Sequence, residues 1–307
     1  MLRYALSRLV GAAPTLLILV ALAFFLMHAA PGGPFDAEKP LPPAVRANLE
    51  RAYHLDEPLV QQFGRYLGGL ARGDFGPSFQ YPDHTVTELI RQGFPVSLRI
   101  GALAMALALA AGVGAGTLAA LKQNRTADRA LMAATLAGVS VPSFVVAPLL
   151  ILLFAVHLGW LPGGGYGDGS LRYLLMPVLA LALPQIAYIA RLTRASMVEV
   201  LRSPFIRAAR AKGLAGRTVV LRHALKPALL PVVSYLGPAI AALITGSVVI
   251  EQIFGIPGLG RFFVLGALNR DYTLVLGVVV FYGALIVALN LLVDLLYAAI
   301  DPRVRYA

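Results

Sequence analysis

The stretch Ser203–Pro227, SPFIRAARAKGLAGRTVVLRHALKP, carries Arg207, Arg210, Lys212, Arg217, Arg222 and Lys226, with Arg202 just before it, and no acid. Apolar runs long enough to cross a bilayer flank it on both sides. A basic segment between two spans belongs on the cytoplasmic side of a membrane. Ser203 and Pro204 make a helix start, because a serine oxygen can cap free amides and proline is preset for the first turn. Gly213 supplies a left-handed end. The predicted helix is short, with Phe205, Ala208, Ala209 and Lys212 on one face by the i, i+3, i+4 rule. Arg207 and Arg210 project from other faces. Small alanines flanked by cations suit a helix that enters a groove on another protein; the pattern equally suits an amphipathic helix facing water or lipid headgroups.

Composition sets the class around this segment. Hydrophobic residues are 58% of the 307 and charged residues 13%, against roughly 25% charged in a soluble domain. One soluble core could not hide that much apolar surface, so lipid is the solvent for much of it. Cysteine is absent, which excludes disulfides, thiol nucleophiles and cysteine metal sites. The net charge of +11 does not imply nucleic acid, because the cations are placed between membrane spans.

Six apolar runs, approximately 9–29, 96–121, 130–157, 173–195, 228–250 and 273–298, are each long enough to span. They lack the alternation of a membrane barrel, so the predicted fold is an all-α integral membrane protein of six transmembrane helices. Pro14, Pro142, Pro148, Pro177, Pro184 and Pro238 fall inside these runs and are predicted to kink them rather than break them. Span two places Ala108, Gly112, Gly116 and Ala120 on one face, a close-packing signal. With the N-terminus inside, inner segments hold sixteen Lys/Arg and three acids, outer segments ten Lys/Arg and eleven acids. Both termini are therefore expected in the cytoplasm. Arg3 and Arg8 before an apolar stretch imitate a signal peptide, but the stretch is long and His28 sits badly for cleavage after Ala30, so an uncleaved first span is expected. The expected organisation is 1–30 for the cytoplasmic start and first span, and 31–94 for an extracytoplasmic loop region. The transmembrane domain proper follows at 95–298, with its cytoplasmic loop at 196–227, and 299–307 forms a cytoplasmic tail. The loop, with a helix from about Pro43 to Tyr53, is too short and too polar for an enzyme domain and reads as a cap on the bundle.

Matching stretches then run along nearly the whole chain. They include Ala30-Pro31-Gly32, Gly73-Asp74-Phe75-Gly76-Pro77-Ser78-Phe79, Val141-Pro142-Ser143-Phe144 and Trp160-Leu161-Pro162-Gly163-Gly164-Gly165. Further on come Arg207-Ala208-Ala209 with Gly213, Glu251-Gln252-Ile253-Phe254, Ile256-Pro257-Gly258-Leu259-Gly260 and Gly266–Tyr272. In this order they resemble the binding-protein-dependent ABC permeases of the peptide-transport group, most closely the B-type membrane subunit of an oligopeptide permease. The general permease loop begins Glu-Ala-Ala, whereas Arg207 stands first here.

The resemblance implies a type I ABC importer permease fold in a bacterial inner membrane. Its implied partners are a homologous C-type permease, two cytoplasmic ATPases and an extracytoplasmic peptide-binding protein, with a peptide as cargo. It implies that Phe205, Ile206, Arg207, Ala208, Ala209, Arg210, Ala211, Lys212, Gly213 and Leu214 form the ATPase-coupling helix. The cations would make charged contacts in the ATPase groove; Ala208, Ala209 and Gly213 would give the close fit. No cofactor is expected on this chain, and ATP and magnesium would sit on the ATPases, so the chain itself is not expected to be an enzyme. Dipeptides or a peptide-like ligand such as a metallophore remain alternative cargoes.

The residues agree with dependence on an outside energy source. Gly213-Leu214-Ala215-Gly216-Arg217-Thr218 lacks the Gly-Lys-Ser/Thr that cradles phosphates. Asp294, with Asn290 one turn earlier, is the main acid in a span, placed for pairing with an interfacial cation. Arg99 and Glu251 fall near outer span ends, either lining an outer gate or snorkelling. An ion-coupled secondary transporter would show duplicated halves with broken helices, and none is visible. The five histidines are scattered with no His-Glu-x-x-His, against an intramembrane hydrolase.

Overall fold

The apolar runs fold as helices, and the turn signals between them set where each begins and ends. In the computed structural model they are α1 (Leu2–Ala29), α2 (Leu59–Leu70), α3 (Val86–Leu121), α4 (Thr126–Ser140) and α5 (Ser143–Leu150, continued as a π-helical stretch Ile151–His157). After these come α6 (Leu171–Leu201), α7 (Pro204–Ala211), α8 (Leu230–Phe254), α9 (Leu259–Leu268) and α10 (Tyr272–Ile300). The structure describes residues 2–29, 48, 50, 51, 53–81 and 83–300, with backbone only for residues 2–10 and 295–300. The helix predicted from Pro43 to Tyr53 lies largely outside the described residues, as does the tail 301–307. Among the described residues there is no strand, only an isolated bridge between Pro77 and Thr85.

Helices α1, α3, α6, α8 and α10 are each long and apolar enough to cross a bilayer. The third predicted span, 130–157, is not one helix: α4 and α5 meet at a bend of 99°. Val141 is extended (φ −99°, ψ 119°), as expected of a residue crowded by a following proline ring. Pro142 then starts α5, its carbonyl accepting from the amides of Val145 at 2.9 Å and Val146 at 3.1 Å. Pro142 is thus a break, whereas Pro14, Pro148, Pro177, Pro184 and Pro238 do lie inside helices.

Helix α3 begins well ahead of residue 96 because Thr85 and Glu88 cap it reciprocally. The Thr85 hydroxyl accepts from the Glu88 amide at 3.2 Å, and the Glu88 carboxylate accepts from the Thr85 amide at 2.9 Å. Its small-residue face packs on α6. A Cβ on Gly112 would lie 2.8 Å from that of Ile189, and one on Gly116 would lie 2.6 Å from that of Thr193 and collide with the Ala190 carbonyl. Only glycine lets the two backbones approach this closely. The main core joins α3, α6 and α8 through Ile100, Ala104, Leu174, Ile189, Leu243, Ile250 and Phe254. A smaller core at one end sets Val20 and Phe24 of α1 against Leu276 and Val280 of α10, with Phe63 of α2 over them.

The chain direction divides the bundle into two ends. Helices α3 and α6 finish, and α4 and α8 begin, at a basic end that holds Lys122, Arg125, Arg129 and the whole 202–228 segment. The turn 73–81, the junction of α8 with α9 and the start of α10 lie at the opposite end.

Candidate functional site

At the basic end α6 stops in a tight turn, with the Arg202 amide donating to Glu199 and the Ser203 amide to Val200. Pro204 occupies the first turn of α7, as predicted. Ser203 does not cap it: its hydroxyl donates 2.6 Å back to the Val200 carbonyl, and only its carbonyl serves the helix, accepting from Arg207. The preceding turn competes for the serine oxygen and wins. At the other end Gly213 is left-handed, φ +77°. Its amide donates to Arg210 O at 3.0 Å, and the Leu214 amide reaches Ala209 O at 3.4 Å. This pair of bonds closes the last carbonyls of α7.

Two residues anchor the helix. Ile206 and Ala209 are buried in a cluster with Ala120, Met197, Val219, Ala224 and Ala228. Burying one isoleucine is worth about 2 kcal/mol. Ala209, one turn from Phe205, is therefore covered by the bundle while Phe205, Ala208 and Lys212 stay exposed, so it is not open to a close fit with a partner. Burial of Ile206 sets the rotation of the helix, and Ala209, at i+3, turns inward with it.

What remains outward is Phe205, Arg207, Ala208, Arg210, Ala211, Lys212, Gly213 and Leu214, all exposed. Phe205 is 50% exposed and Leu214 40%, and Leu221 on the neighbouring turn is 51% exposed. Among the described residues, Arg207, Arg210, Lys212, Arg217, Arg222 and Lys226 form no ion pair. The result is a rigid ridge of cations and apolar side chains standing off the bundle. Phe205, Leu214 and Leu221 add exposed apolar surface to these cations.

A second feature at this end went unread in the sequence. Arg194 of α6 grips Asp128 of α4 with two parallel bonds, Nε to Oδ1 at 2.6 Å and Nη2 to Oδ2 at 2.7 Å. Asp128 is 2% exposed and also accepts from the Asn124 amide at 2.9 Å. Arg202, at the end of α6, donates 3.2 Å to Gln123 of the same turn. The signal available was an acid in a strongly basic loop; it counts there as one charge among several.

The other predicted residues lie away from α7. Glu251 neither snorkels nor lines an opening: it is fully buried, and its Oε2 accepts from the Gly260 amide at 2.8 Å at the start of α9. Gly258 carries no side chain because Glu251 and the Ser97 hydroxyl occupy the space, and Ser97 accepts from the Leu259 amide at 2.9 Å. Arg99 is exposed and lies across Gly169 and Tyr166. Asn290 of α10 closes against Gly237 of α8, and Asp294 is half-buried in the last turns of α10 for which side chains are described. Sequence reasoning also missed Asp271, fully buried, which starts α10. One oxygen accepts from the Leu274 amide at 3.0 Å and the Thr273 hydroxyl at 3.1 Å. The other accepts from the Ser78 hydroxyl at 2.5 Å and the Gln80 amide at 3.0 Å.

Comparison with known proteins places this architecture. A family model described as the binding-protein-dependent transport system inner membrane component matches residues 112–306, and the N-terminal model of such membrane components matches residues 1–100. The chain is similar to the oligopeptide transport system permease protein OppB of Escherichia coli (strain K12), with 56% identity over 306 residues and 100% of both chains covered. To the OppB protein of Haemophilus influenzae it is 54% identical over 306 residues, again with 100% of both covered. To the dipeptide transport system permease protein DppB of Bacillus subtilis it is 43% identical over 305 residues, covering 99% of this chain and 98% of the relative. Among solved structures, the inward-facing MetNI methionine ABC transporter aligns with a TM-score of 0.59 at 20% identity, over 69% of this chain and 96% of that one. An amino acid ABC transporter aligns with a TM-score of 0.51 at 20% identity, over 71% and 94%. These two establish a shared fold.

Proposed function

The chain belongs to the family of binding-protein-dependent transport system inner membrane components, and on that premise we propose how it works: as the B-type permease of an ATP-driven importer that moves oligopeptides. Identity of 56% over the full length of an oligopeptide permease, against 43% to a dipeptide permease, supports the longer cargo. A homologous C-type permease completes the pathway, an extracytoplasmic binding protein delivers the peptide, and two ATPases dock at the basic end. Both termini and the 196–227 segment face the cytoplasm, in keeping with the excess of Lys/Arg over acids there.

Phe205, Arg207, Ala208, Arg210, Ala211, Lys212, Gly213 and Leu214 form the docking surface of α7, and Ile206 and Ala209 fix its angle from behind. The observation that carries this reading is the exposure of unpaired cations beside Phe205 and Leu214 on a helix whose inner face is locked. An electropositive groove-filler pairs with acids on its partner and sets apolar side chains into pockets. Because Ile206 and Ala209 are packed in the same core as Ala120 and Met197, displacement of α7 is carried into α3 and α6. ATP and the loaded binding protein then shift the population between two states of one rigid assembly.

Gly213→Trp tests it. No atom lies within 4 Å of the missing Cβ, so the new side chain projects outward, and the left-handed backbone at φ +77° strains any residue but glycine. Peptide uptake is expected to fall about tenfold or more, with wild-type amounts of chain in the membrane and fewer ATPase subunits co-purified. Normal uptake by this variant overturns the docking role.

A further inference from the structure

We infer that the Asp128–Arg194 pair is a positioning device that makes the bent α4–α5 span move as one body with α7. The inference rests on the docking role proposed for α7 and extends it to residues that touch no partner.

The geometry places four elements around this pair. Arg194 belongs to α6, which runs on through Leu201 into the turn that launches α7. Its guanidinium holds both oxygens of Asp128, the third residue of α4. Its backbone nitrogen lies 3.0 Å from where a Cβ on Gly116 of α3 would stand. Asp128 in turn secures the α3–α4 turn through the Asn124 amide, and that turn is held a second time, by Arg202 on Gln123. Asn124 is left-handed, φ +63°, a conformation asparagine tolerates and a bulky residue does not. The turn is thus pinned to α6 both at Arg194 and at the residue joining α6 to α7.

A guanidinium–carboxylate fork resists both rotation and sliding, because two parallel bonds fix the plane of each group. A single-point contact would let α4 pivot on α6. With the fork, a tilt imposed on α7 and the end of α6 is delivered to the start of α4 without slack. At the far end of α4 the 99° turn at Pro142 converts that tilt into a sweep of α5. Buried side chains are few along α4, Asp128 and Thr135, so the fork adds a directed hold to the packing of Gly138 on Leu183. Removing one partner of a buried pair leaves the other charge uncompensated, so each holds the other in place.

The test uses the assembled importer, purified through a tag on this chain and placed in lipid vesicles. Asp128→Asn keeps size and removes the charge; Arg194→Lys keeps the charge and removes the fork. The readout is labelled oligoalanine taken up per ATP hydrolysed, counted per assembled complex, so that lost folding or expression drops out. Both variants are expected to keep ATPase subunits bound and basal hydrolysis intact, while peptide moved per ATP falls about tenfold. Because the chain has no cysteine, spin labels on cysteines introduced at Ala133 of α4 and at Ala215, exposed just past α7, read the coupling directly. Their distance stays sharp with and without ATP in the native pair and broadens in Asp128→Asn. Native peptide-to-ATP ratios in both variants, or an unchanged label distance in Asp128→Asn, overturn the inference. Failure of the unmodified chain to retain ATPase subunits overturns instead the docking role of α7.

Discussion

At the basic end the chain pairs a buried Asp128 with a half-buried Arg194, seats α7 on Ile206 and Ala209, and leaves Arg207, Arg210, Lys212, Arg217, Arg222 and Lys226 exposed with no ion pair among the described residues. At the opposite end Asp271 and Glu251 are fully buried, and backbone amides and hydroxyls rather than cations hold them. The contrast separates two uses of charge. Acids at the start of α9 and α10 satisfy donors that a helix start always leaves over, so these helix starts are capped within the chain itself, although Glu251 Oε1 is buried with no hydrogen-bond partner among the described residues. Among the described residues the cations of α7 and the segment after it form no ion pair, so that end keeps its charge exposed, as the docking role proposed for α7 requires.

Three variants press on this contrast. The largest effect is expected from Gly116→Leu, which drives a side chain into the Ala190 carbonyl and Thr193. Separating α3 from α6 should cost at least ~3 kcal/mol, seen as a steep fall in the thermal unfolding temperature in detergent. A smaller loss, roughly 2 kcal/mol, is expected for Asp271→Ala, since buried donors from Ser78, Gln80 and Leu274 lose their acceptor. Unchanged unfolding in that variant would mean the opposite end is not closed by its acids. Smallest in stability is Arg210→Ala, expected to fall within ~0.5 kcal/mol of the parent. It should nevertheless lower peptide uptake and weaken its salt dependence, since an exposed contact between charges is screened by ions. A substantial stability loss here would show the ridge to be structural.

The same contrast explains what could be read from the sequence. Long apolar runs, the small-residue face at Gly112 and Gly116, the α7 start at Pro204 and its end at Gly213 depend on local spacing, and the structure has them there. Ser203 does not cap as expected because its hydroxyl had a carbonyl to donate to as well as amides to accept from, and the turn that brings the Val200 carbonyl within reach was invisible in a string of letters. The burial of Ala209 could not be read, because spacing fixes relative angles around a helix, while burial of Ile206 fixes the absolute one. Pro142 could not be told from Pro177 or Pro184, since each is an apolar-run proline; what differs is whether neighbouring helices hold the preceding residue in the helix. Glu251 looked like a span-end charge and Asp271 drew no reading, because their partners, the amides of Gly260 and Gln80, are backbone groups that carry no signature. Asp128 has a side-chain partner, but it is 66 residues away in the chain.

Asp271 has one oxygen on the 78–80 turn and the other on the first turn of α10. A push against that turn by more than a bond's slack must either snap the Ser78 contact or tug the final crossing along its axis. The 78–80 turn and the last membrane pillar are therefore geared to each other, through this carboxyl group and through the Thr273 hydroxyl on the Pro77 carbonyl.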